Sequence, residues 1–94
     1  MPRVFVPALL RHLANDQESI EVPGATVREL INALDVRFPG IKARLGEGDN
    51  LRPGLAVVID SQVAHGLDAP VAETSEVHFI PAIAGGRSSG LEKY

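Results

Sequence analysis

Apolar and polar positions alternate along this chain with two different periods, and the changeovers divide it into elements. Arg3 to Leu9 places Val4 and Val6 on one face and Phe5 on the other, which predicts a first strand. Arg11-His12-Leu13-Ala14-Asn15-Asp16 reads as a polar connection. Glu18 to Val22 sets Ile20 and Val22 among charged neighbours and predicts a half-buried second strand ended by Pro23-Gly24. From Thr26 to Phe38 the period becomes helical. Val27, Leu30, Ile31, Leu34 and Phe38 form one stripe, while Arg28, Glu29, Asn32 and Asp35 face away. Thr26 and Glu29 have the spacing of a capping box, in which each side chain satisfies the other's backbone donor. Pro39-Gly40 stops the helix, Ile41 to Leu45 has room for one more short turn, and Gly46 to Asn50 reads as loop. Leu55 to Asp60 is a nearly continuous apolar run, as in a strand bordered by others. Gln62-Val63 is a short strand or turn, Leu67 to Ser75 with its Pro70 a loop, and Val77 to Ile83 the last strand.

A hairpin followed by a helix and then by further strands predicts an α+β domain, with one mixed sheet and the main helix packed on one face. The last strand can then lie parallel to the first at the centre of the sheet, the arrangement of a β-grasp or ubiquitin-like roll. The domain spans 1–86. Residues 87–94, Arg-Ser-Ser-Gly-Leu-Glu-Lys-Tyr, have nothing periodic to bury and read as a disordered tail.

Composition narrows the chemistry. The 94 residues suffice for one core, and a formal charge of −3 is mild. No cluster of Lys and Arg stands in the sequence to track phosphates, and the strands offer no aromatic platform for bases, so nucleic acid is not an expected partner. With no cysteine, disulfides and thiolate metal sites are excluded. His12, His65 and His78 do not fall at ligand spacing, so no metal is expected. The start Met-Pro-Arg-Val-Phe-Val-Pro lacks the apolar run of a signal peptide, and no window approaches a membrane span, so a cytoplasmic protein is the expectation. Asp35, Asp60, Glu73 and Glu76 suggest no acid–base pair and read as solvated. Gly46-Glu47-Gly48 lacks the lysine of a phosphate loop.

The informative stretch is Val77-His78-Phe79-Ile80-Pro81-Ala82-Ile83-Ala84-Gly85-Gly86. An apolar strand runs through Pro81 into small residues and two glycines, which lack side chains and leave φ free, so the segment can thread a narrow slot on another protein. Three stretches together resemble the MoaD/ThiS family of ubiquitin-like sulfur carriers. Arg3 to Leu13, with Arg11-His12-Leu13, is similar to the family's first strand and "xxRxL" segment. Thr26-Val27-Arg28-Glu29-Leu30 resembles "TVxEL", and residues 77–86 resemble "VxxxPxxxGG".

The resemblance implies that Gly86 is the acyl group modified and that Ala84 and Gly85 are its flexible neighbours. An E1-like activating enzyme would use ATP to adenylate the Gly86 carboxylate, and sulfur would replace AMP to give a thiocarboxylate. The carrier itself would bind no cofactor and catalyse nothing. A sulfur-accepting synthase would be the second partner, in molybdopterin, cysteine, thiamine or other metabolite biosynthesis. Carriers of this family normally stop at the second glycine, whereas Arg87 to Tyr94 follow here. Gly86 has no carboxylate while it sits in a peptide bond, so a zinc metalloprotease of the JAMM type is implied as a third partner. Ala72 to Glu76 also departs from the family's more usual "x-GD-x" turn.

Docking is expected on the strand that leads to the diglycine. With Val77 and Phe79 inward, alternation turns His78, Ile80 and Ala82 to the opposite face. Ile80 and Pro81 would form an apolar contact patch, which Pro7 and Val63 extend if the strand order allows. The other register, or a loop over this face, would hide Ile80. Arg11 reads equally as a partner contact and as an ordinary surface cation. Two other readings stand beside the carrier: a ubiquitin-like modifier joined to target lysines through Gly86, and a non-covalent β-grasp binding module whose tail is never cut.

Overall fold

The computed structural model describes residues 1–64 and 66–81. Strand β1 (Arg3–Phe5) is shorter than its alternation suggests, because Pro7 has no N–H to donate to a ladder. From Pro7 the chain winds into a 3₁₀ helix, Ala8–Ala14, which Asn15 ends in a left-handed conformation with φ 53°. The expected polar connection is therefore helical, and it buries Ala14 completely while Leu10 and Leu13 pack against the core. Their three-residue spacing is the signal for it.

Strand β2 (Ser19–Glu21) precedes helix α1 (Val27–Arg37), whose stripe Val27, Leu30, Ile31 and Leu34 is buried. Thr26 Oγ1 accepts from the Glu29 N–H at 3.2 Å, as capping predicts. The return bond differs: Glu29 Oε1 accepts from the N–H of Ala25, one residue before the cap, at 2.8 Å. The next two donors of the helix are met from the loop at 67–75, with Val27 N–H bonded to Ala69 O and Arg28 N–H to Leu67 O. That loop is thus pinned to the helix N-terminus, with Leu67 and Val71 buried beneath it.

Helix α2 (Ile41–Leu45) buries Ile41 and Leu45. Strands β3 (Gly46–Glu47) and β4 (Asn50–Leu51) then form a small hairpin where the sequence suggested only a loop. Strands β5 (Leu55–Ile59), β6 (Gln62–Ala64) and β7 (Glu76–Pro81) complete the main sheet, in the order β2-β1-β7-β5-β6. The last strand is central and runs parallel to the first, with Val4 opposite Val77. Val4, Ile20, Val57, Val77 and Phe79 meet the α1 stripe in one core. Helix α1 covers one face of the sheet, and the other face carries the candidate site.

Candidate functional site

Strand β7 sorts its side chains as a period of two requires. Val77 and Phe79 are buried, His78 is half-buried and Ile80 is 39% exposed on the outer face. Register extends this face sideways, because His78 lies opposite Phe5 of β1 and Val58 of β5, and Val58 lies opposite Val63 of β6. Phe5 and His78 stack with ring centroids 4.1 Å apart and planes 2° from parallel. One row higher, Ile80 stands opposite Ala56.

Where β7 ends, the turn after β1 and the segment entering β5 rise beside it and enclose a groove of about 630 Å³. Pro7, Leu9, Arg11, Leu55, Ile80 and Pro81 are among its walls. The fold therefore brings together four of the five residues expected to dock: Pro7, Arg11, Ile80 and Pro81. The fifth does not join them. Val63 is 60% exposed on the same face, but β6 is separated from β7 by the whole of β5, and Val63 is not among the groove's lining residues. Leu9, 83% exposed on the 3₁₀ helix, does line it. Its signal in the sequence is a bulky aliphatic residue two positions after the proline that ends β1, hidden by the expectation of a longer strand. Ala84, Gly85 and Gly86, with Ala82 and Ile83, lie outside the described residues.

Arg11 is held in place: its Nε donates to the Val6 carbonyl at 3.3 Å. Arg52 Nε donates to the Ala43 carbonyl at 2.8 Å, and Arg44 lines the groove with it. Three arginines distant in sequence thus converge, a cationic cluster that linear reading does not show.

The carboxylates read as solvated include two with structural work. Asp35 Oδ1 accepts from the N–H groups of Gly40 and Lys42, at 3.0 and 3.1 Å, and so caps the start of α2. Asp60 accepts from the Glu76 N–H at 2.9 Å and from the Ser75 hydroxyl at 2.8 Å, and these bonds hold its carboxyl below the usual carboxylate range. Arg28 reaches Asp68 at 3.1 Å and Asp49 at 3.4 Å, tying α1 to the loop after β6 and to the β3–β4 hairpin. Among the described residues no group of His, Asp and Glu is placed to hold a metal, and no helix is long and apolar enough to cross a membrane. The outer face carries an apolar groove beside the end of β7, lined also by Arg11, Arg44 and Arg52.

Residues 4–86 match the model of the ThiS family. The sulfur carrier protein CysO of Mycobacterium tuberculosis is 28% identical over 89 residues, covering 88% of this chain and 96% of that protein. Among solved structures, a chain in the crystal structure of the Amycolatopsis orientalis BexX/CysO complex superposes with a TM-score of 0.83 at 34% identity, over 92% of this chain and 100% of that one. The crystal structure of SAMP1 from Haloferax volcanii gives a TM-score of 0.67 at 25% identity, over 90% of this chain and 98% of that one.

Proposed function

Because the chain belongs to the ThiS family, matched over residues 4–86, we propose that it is a sulfur carrier whose working group is the carboxylate of Gly86. The observation that carries this reading is the path of β7. The central strand ends at Pro81 on the rim of an exposed apolar groove, and the diglycine follows within five residues. A partner that grips the groove is thereby placed to receive the chain end. Similarity to a CysO sulfur carrier along nearly the whole length supports the same role.

The chemistry resides in the backbone. After a metalloprotease of the JAMM type removes residues 87–94, a Gly86 carboxylate oxygen attacks the α-phosphorus of ATP on an E1-like enzyme, and pyrophosphate leaves. A sulfur nucleophile at the oxidation level of hydrosulfide then adds to the acyl carbon and expels AMP, leaving a thiocarboxylate. This chain supplies recognition through Ile80, Pro81, Pro7 and Arg11, and presents Ala84-Gly85-Gly86 to the enzyme. A synthase that accepts the sulfur completes the cycle.

Incubating the chain ending at Gly86 with an activating enzyme, ATP and sulfide should exchange one oxygen for sulfur in its intact mass, while the full 94-residue chain should stay unchanged. Equal adenylation of the full-length chain would defeat the assignment. A modifier role has one observation in its favour, the fold shared with the small archaeal modifier SAMP1. A Gly86 remnant on lysines of other proteins would mark that outcome.

A further inference from the structure

The β3–β4 hairpin forms one wall of a second groove, of about 530 Å³, whose other walls come from α1 and α2. Ile31 and Leu67, both buried, reach its lining, and Asn32 and Lys42 add polar groups. Sites of about 300–1,000 Å³ enclose small organic molecules. The base of the hairpin is fixed, since Leu51 packs against the core and the Arg52 N–H donates to the Leu45 carbonyl at 3.1 Å. Its tip is not. Residues 47–50 are all exposed, Gly48 turns the chain with φ 63°, and a Cβ there would meet nothing within 4 Å. Among the described residues, the polar contact joining the tip to α1 is the ion pair of Asp49 with Arg28, Oδ1 to Nη1 at 3.4 Å. Its two partners are unequally held. The Asp49 side chain is 92% exposed. Arg28 is fixed by its Nε on Asp68 at 3.1 Å and by its backbone N–H on the Leu67 carbonyl at 2.7 Å.

We propose that the tip of the β3–β4 hairpin is a flap over this groove, and that the Arg28–Asp49 pair is its latch. When the pair parts, Arg28 stays on Asp68 and the tip is the side released. The flap then pivots on Leu51 and Arg52 and uncovers the groove floor at Ile31 and Leu67. An exposed ion pair is weak, so this latch shifts the ratio of closed to open forms by about 1.4- to 5-fold. That weakness is what makes it a device, because a switch held by a strong contact would not open. Salt screens the pair, so access to the groove widens as ionic strength rises. The device is independent of the chemistry at the chain end.

The test uses the full chain and a neutral, soluble gadolinium chelate, whose effect on methyl relaxation reports solvent access. Ile31 and Leu67 methyls report the groove, and Val4, fully buried in the sheet, reports general loosening. At low salt, Asp49→Asn should raise relaxation at Ile31 and Leu67 by about 1.4- to 5-fold over wild type, with Val4 unchanged. Wild type at high salt should move toward the same values, and Asp49→Asn should respond less to salt. Asp49→Glu keeps the charge and should stay near wild type. Glu47→Gln is the control, because Glu47 pairs at 3.9 Å with Arg52 at the hairpin's own base. Backbone order parameters at Gly48 and Asp49 should fall in Asp49→Asn alone among these variants. Wild-type access in Asp49→Asn overturns the proposal. An equal rise in Glu47→Gln, or a rise at Val4 that matches the one at Ile31, overturns it as well.

Discussion

Asp60 and Ser75 lie fifteen residues apart in sequence, and the Ser75 hydroxyl donates to Asp60 Oδ2 at 2.8 Å. Asp60 and Ser61 form the β5–β6 turn with φ of 49° and 72°, a left-handed pair without glycine. The bond ties that turn to the entry of β7, where Asp60 also accepts from the Glu76 N–H. Ser75 is 2% exposed, and its Oγ accepts from the Ala72 N–H, so one hydroxyl links the turn to the loop before β7.

These bonds favour the ionised carboxylate, in which both oxygens accept most strongly. Since the folded pKa of Asp60 lies below its ordinary value, its stabilisation is complete above the unfolded value of about 3.9 and is lost as pH falls through the folded one. Asn tolerates the same left-handed backbone, so Asp60→Asn isolates the charge. Thermal melts should show wild type above Asp60→Asn near neutral pH, with the gap closing as pH falls below about 4. A gap that persists unchanged in acid would place its cause elsewhere.

Leu30 is fully buried where α1 meets the sheet. Leu30→Ala should cost about 2–5 kcal/mol in chemical denaturation, from lost burial and the cavity left behind. A loss well under 1 kcal/mol would mean that the site collapses freely, contrary to the packing seen.

Gly24 sits against the first turn of α1. A Cβ there would come within 2.9 Å of Leu30 Cδ2 and 3.0 Å of the Leu30 backbone nitrogen. The side chain can yield, but the backbone cannot without moving the helix. Gly24→Ala should therefore lower stability by about 1–3 kcal/mol, read from the denaturant midpoint.

Ile80→Asp, in the chain ending at Gly86, should weaken binding to the activating enzyme at least tenfold while leaving the melt nearly unchanged, since Ile80 faces outward. Val63→Asp, on the same face but two strands away, should bind nearly as wild type. Gly86→Ala should keep binding and lose transfer. Titrations paired with single-turnover adenylation would separate these results, and normal binding by Ile80→Asp would remove the groove from the interface.

The periodic elements of this fold were legible because burial imposes period on sequence. The α1 stripe and the inward pair Val77 and Phe79 follow from that rule, the Thr26 cap from its spacing to Glu29, and the parallel central pairing of first and last strands from the order of the elements. What escaped was short or of another period. The 3₁₀ helix at Ala8–Ala14 has no α-helical stripe, and the β3–β4 hairpin has only two residues per strand. At the site, alternation placed Ile80 correctly, and adjacency to Pro7 followed from the strand order. The meeting of Arg11, Arg44 and Arg52 depends on how the 3₁₀ helix, α2 and the segment between β4 and β5 are placed, which no local pattern encodes. Likewise, Asp60 reads as any surface carboxylate until Ser75 is brought beside it.

The central position of β7 also decides how the protein bears force. An enzyme that draws on the chain beyond Pro81 pulls along a strand bonded to β1 on one side and to β5 on the other. Tension in that direction loads both ladders in shear, so many hydrogen bonds resist together instead of parting one at a time as at a peeled edge. The domain is thus anchored to β7 on both sides, as a handle is riveted to a blade. Traction applied beyond Pro81 would therefore be borne by the sheet as a whole.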